Sequence, residues 1–169
     1  MDGDFWLIQK MRMGDDQAVE SFVRKYYPQI LKYCRRHMDD DGYAEDMAQE
    51  TFVRFFQTLK QYRHYGKAVN YLYVIAANLC RDYYRKMKEI PVKELPDKAD
   101  LYKPDMDQQI GVRLALERLP EEMKEVAVLY FLQERKQKDI ARILGIGVPL
   151  VKYRVRKARE MLSAYLGKE

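Results

Sequence analysis

The chain is expected to be all-α, folded as two small helical domains joined by a flexible linker. Three observations predict this. Apolar residues recur at helical spacing almost throughout, while strand-like alternation is weak and turn dipeptides are few. Pro91, Pro96 and Pro104 fall within fourteen residues, among Lys, Glu and Asp. Near the C-terminus, a short amphipathic helix, a glycine turn and a second helix follow one another, which is the pattern of a helix-turn-helix.

In chain order, the spacing predicts helices over 3–13, 16–38, 42–63, 67–87, 107–118, 120–133, 136–144 and 148–165. Asp39-Asp40-Asp41 reads as an N-cap and turn, because a short side-chain oxygen there can take the free N–H groups that open a helix. The helix over 42–63 has two sides. Ala44, Ala48, Phe52, Phe55 and Leu59 form a core stripe. Asp46, Gln49, Glu50, Val53 and Gln57 form the other side, which on the residues alone reads as solvated surface. The helix over 67–87 packs through Leu72, Ile75, Ala76, Leu79 and Tyr83, with Asn78, Arg81 and Arg85 on a different side. Ahead of it runs Tyr62-Arg63-His64-Tyr65-Gly66-Lys67. This aromatic and basic mixture suits single-stranded DNA, since rings stack on bases and cations follow phosphates.

Proline removes a backbone donor and disfavours helix at the residue before it. Residues 88–107 therefore read as a linker between an N-terminal domain, 1–87, and a C-terminal one, 108–169. The smaller domain is near the size at which a single core is only marginally stable. In it, Ile140, Ala141 and Leu144 share a stripe of the helix over 136–144. Gly145 stands at the position after a helix that favours the left-handed conformation. Pro149 suits the first turn of the next helix, where its missing N–H is not needed. On that helix, Val151, Val155, Ala158 and Leu162 face inward. Lys152, Tyr153, Arg154, Arg156 and Lys157 cover the opposite side, with Arg159 at its edge. A solvated face usually alternates charge sign; this one carries no carboxylate before Glu160. A helix of this kind lies in the major groove with its N-terminal residues over base edges. Lys152, Tyr153 and Arg156 are then candidates for bases, and Arg154, Lys157 and Arg159 for phosphates.

Composition limits the alternatives. The 169 residues carry a net charge of +5. Lys and Arg exceed Asp and Glu by 14 to 12 over 1–87 and by 13 to 8 over 108–169, and fall short of them by 4 to 6 over 88–107. The positive excess is thus concentrated at the C-terminal end. Cys34 and Cys80 are the only cysteines, too few for a disulfide framework. Cys34 and His37 form a soft pair at helical spacing, short of the roughly four ligands of a closed zinc site. No Ser-His-Asp or Cys-His arrangement and no Walker-type phosphate loop is present, so no enzyme, metal or cofactor is called for. The acidic start is not followed by an apolar run, and no stretch approaches the ~18–20 residues needed to span a membrane. A soluble, cytoplasmic protein is expected.

Over 113–162, the run Ala115-Leu116-Glu117-Arg118-Leu119-Pro120-Glu121-Glu122, then Val126, Leu129, Tyr130, Phe131, Asp139-Ile140-Ala141, Leu144-Gly145-Ile146, Val151-Lys152, Arg154 and Ala158-Arg159, resembles region 4 of bacterial sigma factors. It is most similar to the small extracytoplasmic-function (ECF) class, which keeps only regions 2 and 4. In the N-terminal half, Ala44–Phe52 resembles the core-binding segment, with Asp46, Gln49, Glu50 and Phe52 in the pattern Asp-x-x-Gln-Glu-x-Phe. Leu72, Ile75-Ala76, Asn78, Asp82 and Arg85 resemble the helix that reads the promoter's −10 element, with Tyr71 where the family usually has Trp. Gly14-Asp15, Ala18, Phe22 and Tyr26 also fit.

The resemblance implies three surfaces. Asp46, Gln49, Glu50, Val53 and Gln57 would dock on core RNA polymerase. Tyr62, Arg63, Tyr65, Lys67, Tyr71, Asn78, Arg81 and Arg85 would bind −10 DNA and capture a flipped base. Pro149, Lys152, Tyr153, Arg154, Arg156, Lys157 and Arg159 would bind −35 DNA. Pro149, Leu150 and Tyr153 stand where members typically carry a small residue, Thr and Ser. An anti-sigma factor is a further implied partner. The alternative is a conventional helix-turn-helix regulator with a helical sensing or dimerisation domain, which has no reason to carry the segments 44–52 and 62–85.

Overall fold

A computed structural model of the chain describes residues 3–38, 40–63, 66–88 and 107–167. Every regular element among them is helical. The chain divides into two compact units, Met1–Leu101 and Tyr102–Glu169. Of the expected linker, only Lys88, the last residue of a helix, and Asp107, the first residue of the next, fall among the described residues.

The first unit holds α1 (Gly3–Arg12), α2 (Asp16–His37), α3 (Asp41–Gln57) and α4 (Ala68–Lys88). The long helix α2 packs against the other three. Its start is fixed by Asp15, whose carboxylate accepts from the N–H groups of Gln17 at 2.9 Å and Ala18 at 3.2 Å. Asp40 does the same for α3, accepting from Gly42 N–H at 2.7 Å, so the acidic run supplies the expected cap. The core is aromatic. Phe22 stacks on Phe55 with centroids 4.9 Å apart and meets Phe52 edge-on, while Tyr33 meets Tyr73 edge-on at 5.2 Å. Burying each such ring contributes roughly 1.5–3 kcal/mol, which outweighs any single cap.

The second unit holds α5 (Asp107–Glu117), α6 (Glu121–Ala127), α7 (Gln137–Leu144) and α8 (Val148–Tyr165). Its core is aliphatic, with Val126, Val128, Leu129, Ile140 and Val151 fully buried. Gly145 adopts φ 70°, the left-handed conformation expected of it, and Ile146 N–H reaches back to Ala141 O at 3.0 Å.

Two elements differ from expectation. The helix expected over 42–63 stops at Gln57. Thr58 turns the chain, and its hydroxyl donates back to the carbonyls of Arg54 and Phe55 at 3.1 Å each. The helix expected over 120–133 passes at Val128–Leu132 into a wider π turn. Gln133 N–H reaches Val128 O and Arg135 N–H reaches Leu129 O, both at 2.9 Å. Smaller differences concern Tyr83 and Leu162, expected in the core but half-buried; Tyr83 lies beside Tyr43 at 5.2 Å.

Candidate nucleic-acid and polymerase interfaces

On α3, heptad-like spacing separates two faces cleanly. Ala44, Ala48, Phe52, Phe55 and, just past the helix end, Leu59 are buried. Asp46, Gln49, Val53 and Gln57 are exposed and Glu50 half-buried, together making one stripe. Glu50 holds Arg54 at 3.1 Å across a solvated i,i+4 pair, a contact too exposed to fix it. Val53, at 47% exposure, gives this otherwise polar stripe an apolar centre. Amide, carboxylate and one apolar group on a rigid helix suit a partner helix rich in arginine, which binds carboxylates through charge-assisted bonds.

The segment between α3 and α4 builds an aromatic platform. Tyr62 stacks on Tyr71, centroids 5.1 Å apart and planes 24° from parallel, and both rings rest on Phe55. The Tyr71 hydroxyl lies 3.2 Å from Thr58 Oγ1. Arg63 and Lys67 are exposed beside the half-buried tyrosines. Tyr65 and His64 lie outside the described residues. On α4, Asn78 and Arg85 are exposed and Arg81 half-buried, with the Arg81 guanidinium donating to Asn78 Oδ1 at 3.3 Å and Arg85 3.8 Å from Asp82. These residues continue along the helix from Tyr71, so rings, amide and cations share one surface.

Sequence reasoning missed what holds this platform. Arg12, on α1, donates from Nε to Leu59 O at 3.1 Å and from Nη2 to Tyr62 O. The partners are 47 and 50 residues away in sequence, so no local pattern could have found them. The cysteines are a second such case. Both are buried, and the Cys80 thiol is pushed far above its ordinary range by its hydrogen bond with Cys34 and by burial. Such a thiol stays protonated and inert.

On α8, Val151, Val155 and Ala158 are buried, while Pro149, Lys152, Tyr153, Arg156 and Arg159 are exposed. The Arg156 guanidinium lies 5.5 Å over the Tyr153 ring, and Arg159 lies 5.5 Å over Phe131 of the π turn. Arg154 is set apart from the rest. Its side chain is only 17% exposed and leans 3.6 Å from Glu122 on α6. Lys157, half-buried, has Glu160 at 3.7 Å. Among the described residues, no three His, Cys, Asp or Glu side chains gather in a way that could hold a metal, and no helix is long and apolar enough to cross a membrane.

An all-helical chain of two units, with an aromatic and basic surface on one and a helix-turn-helix on the other, is a DNA-binding architecture. Residues 22–89 match the family model for sigma-70 region 2, and residues 110–162 the model for sigma-70 region 4. The ECF RNA polymerase sigma factor SigE of Mycolicibacterium smegmatis is 29% identical over 168 residues, spanning 92% of this chain and 65% of that relative. This chain thus covers just under two thirds of SigE. SigW of Bacillus subtilis, also an ECF sigma factor, is 28% identical over 179 residues, spanning 94% of each chain. In fold, the chain is similar to CnrH, solved with the cytosolic domain of CnrY (TM-score 0.81, 24% identity, 98% of this chain and 97% of CnrH). It is also similar to RpoE of Bartonella quintana, solved with the anti-sigma factor NepR (TM-score 0.70, 18% identity, 88% and 96%). The chain belongs to the ECF sigma factor family, whose members bind core RNA polymerase and direct it to specific promoters.

Proposed function

We propose that each surface has its own task within that activity. The stripe Asp46, Gln49, Glu50, Val53 and Gln57 docks on core polymerase. Residues 1–87 thereby carry core binding together with −10 recognition and melting, through Tyr62, Arg63, Tyr65, Lys67, Tyr71, Asn78, Arg81 and Arg85. Residues 108–169 carry −35 recognition, through Pro149, Lys152, Tyr153, Arg154, Arg156, Lys157 and Arg159. Residues 88–107 link the two.

The observation that carries this reading is the Tyr62–Tyr71 platform flanked by exposed cations. Duplex DNA offers no base face to such rings; an unpaired strand does. Unstacking a base costs a few kcal/mol, which one or two good contacts in a pocket offset. Melting would then draw on binding energy, with no bond made or broken by the protein. Arg154, tied to Glu122, contributes less to DNA than its neighbours and more to holding α8 against α6.

The reading places the protein in the cytoplasm beside the polymerase. An anti-sigma factor is its expected regulator, covering the polymerase- and DNA-binding surfaces, in keeping with the fold's likeness to a sigma factor solved with one. In-vitro transcription with core polymerase on a promoter pool tests the function and yields the promoter sequence. Specific transcripts that need both core and this chain are expected. Tight, specific duplex binding by the chain alone, without stimulation of core polymerase, would instead identify a conventional regulator.

A further inference from the structure

We propose that Arg12 is a positioning residue for promoter opening: from α1, it holds the start of the loop that presents Tyr62 and Tyr71 to unpaired DNA. This rests on the reading of residues 62–85 as the −10 surface. Arg12 lies ahead of the segment matched to region 2, which begins at residue 22, and the sequence assigned it no role.

The geometry is specific. Thr58 ends α3, and the carbonyls beyond it lose their helical partners; in a continued helix, Leu59 O would accept from the N–H of residue 63. The Arg12 guanidinium supplies the missing donors, Nε to Leu59 O at 3.1 Å and Nη2 to Tyr62 O. A planar fork can hold two acceptors at a fixed separation, which an ammonium cannot do equally well. The fork itself has a firm base. Asp4, on the same helix, is buried and accepts from Lys25 Nζ at 2.9 Å and from the Tyr26 hydroxyl, both on α2. A continuous line of bonds therefore runs from α2 through Asp4, α1 and Arg12 to the backbone of Tyr62. The ring of Tyr62 is thereby set against Tyr71 before DNA arrives. Ordering a backbone residue costs conformational entropy, and here that cost is met in folding rather than at base capture.

The test uses holoenzyme reconstituted with the full chain or with Arg12→Ala, Arg12→Lys or Tyr62→Ala variants. Three quantities are measured: core affinity, permanganate reactivity of −10 thymines, and holoenzyme affinity for a single-stranded oligonucleotide carrying the −10 sequence of an active promoter. Arg12→Ala, which loses both hydrogen bonds to the loop backbone, should lower opening and single-strand affinity at least about tenfold, with core affinity nearly unchanged. Arg12→Lys should recover part of the loss, since one donor still reaches one carbonyl. Core affinity falling in the same proportion as opening would reduce Arg12 to a folding residue and overturn the proposal. Opening that depends on Tyr62 but not on Arg12 would overturn it while leaving the −10 reading intact. Opening indifferent to Tyr62→Ala as well would overturn both.

Discussion

The two units are both helical bundles, yet they are built from different residues. The first buries rings against rings, with Phe22, Phe55, Tyr33 and Tyr73 at its centre. The second buries branched aliphatics, with Val126, Val128, Leu129, Ile140 and Val151. Their surfaces follow the same division. The first exposes part of its aromatic stack at Tyr62 and Tyr71, continuous with Phe55 inside. The second exposes cations on α8, with the aliphatic core entirely beneath. An aromatic surface recognises bases that have left the stack, whereas a cationic one recognises the regular phosphates of a duplex. Under the proposed assignment, the division of labour between melting and anchoring would follow the choice of core.

The most severe way to break this comparison is Phe55→Ala, which removes the ring under both tyrosines and should destabilise the first unit by about 3–5 kcal/mol. Thiol labelling reads this unit alone, because Cys34 and Cys80 are both buried in it. Labelling should accelerate while α5–α8 keep their helical signal; simultaneous loss of both would show that the units do not fold separately. Next in size, Gln49→Ala with Glu50→Ala should abolish holoenzyme formation and leave helicity intact. A folded double mutant that still pulls down core polymerase would remove the docking role from α3.

Asn78→Ala should have a smaller and more selective effect, weakening promoter opening about tenfold and core binding hardly at all. Equal losses in a permanganate footprint and a binding assay would refute the assignment. The finest discrimination comes from salt. Arg159→Ala, at an exposed position read as a phosphate contact, should flatten the log–log salt dependence of holoenzyme binding to −35 duplex by roughly 0.9, one phosphate contact. Tyr62→Ala should leave that slope alone while weakening single-strand binding. The reverse pattern would erase the contrast between the units.

What the sequence made legible was local. The two faces of α3, the Asp40 cap, the left-handed Gly145 and the buried stripe Val151, Val155 and Ala158 each depend on residues within a turn or two of one another. Periodicity and cap chemistry reach that far. The unread features were held by distant partners. Nothing in Thr58-Leu59-Lys60-Gln61-Tyr62 announces a helix end; the backbone leaves the helical conformation at Thr58, with φ −102° and ψ 10°, and Arg12 takes the carbonyls of Leu59 and Tyr62. The π turn at Val128–Leu132 keeps an ordinary apolar composition, and only its backbone bonds reveal it. Arg154 looked equivalent to its neighbours on α8 until Glu122, from another helix, set it apart.

The alternation along α8 carries a consequence for how this protein can change. The residues buried beneath the helix, Val151, Val155 and Ala158, interleave with those proposed to meet DNA, and Arg154, which leans on Glu122, belongs to both sets. Exposed positions such as Pro149, Leu150 and Tyr153 can be exchanged at little cost to stability, since surface substitutions usually move it by less than about 0.5 kcal/mol. At these exposed positions, target preference under the proposed assignment would be adjustable apart from foldedness. A lineage, or an engineer, could redirect the anchor to new promoters one surface residue at a time, without passing through an unfolded intermediate.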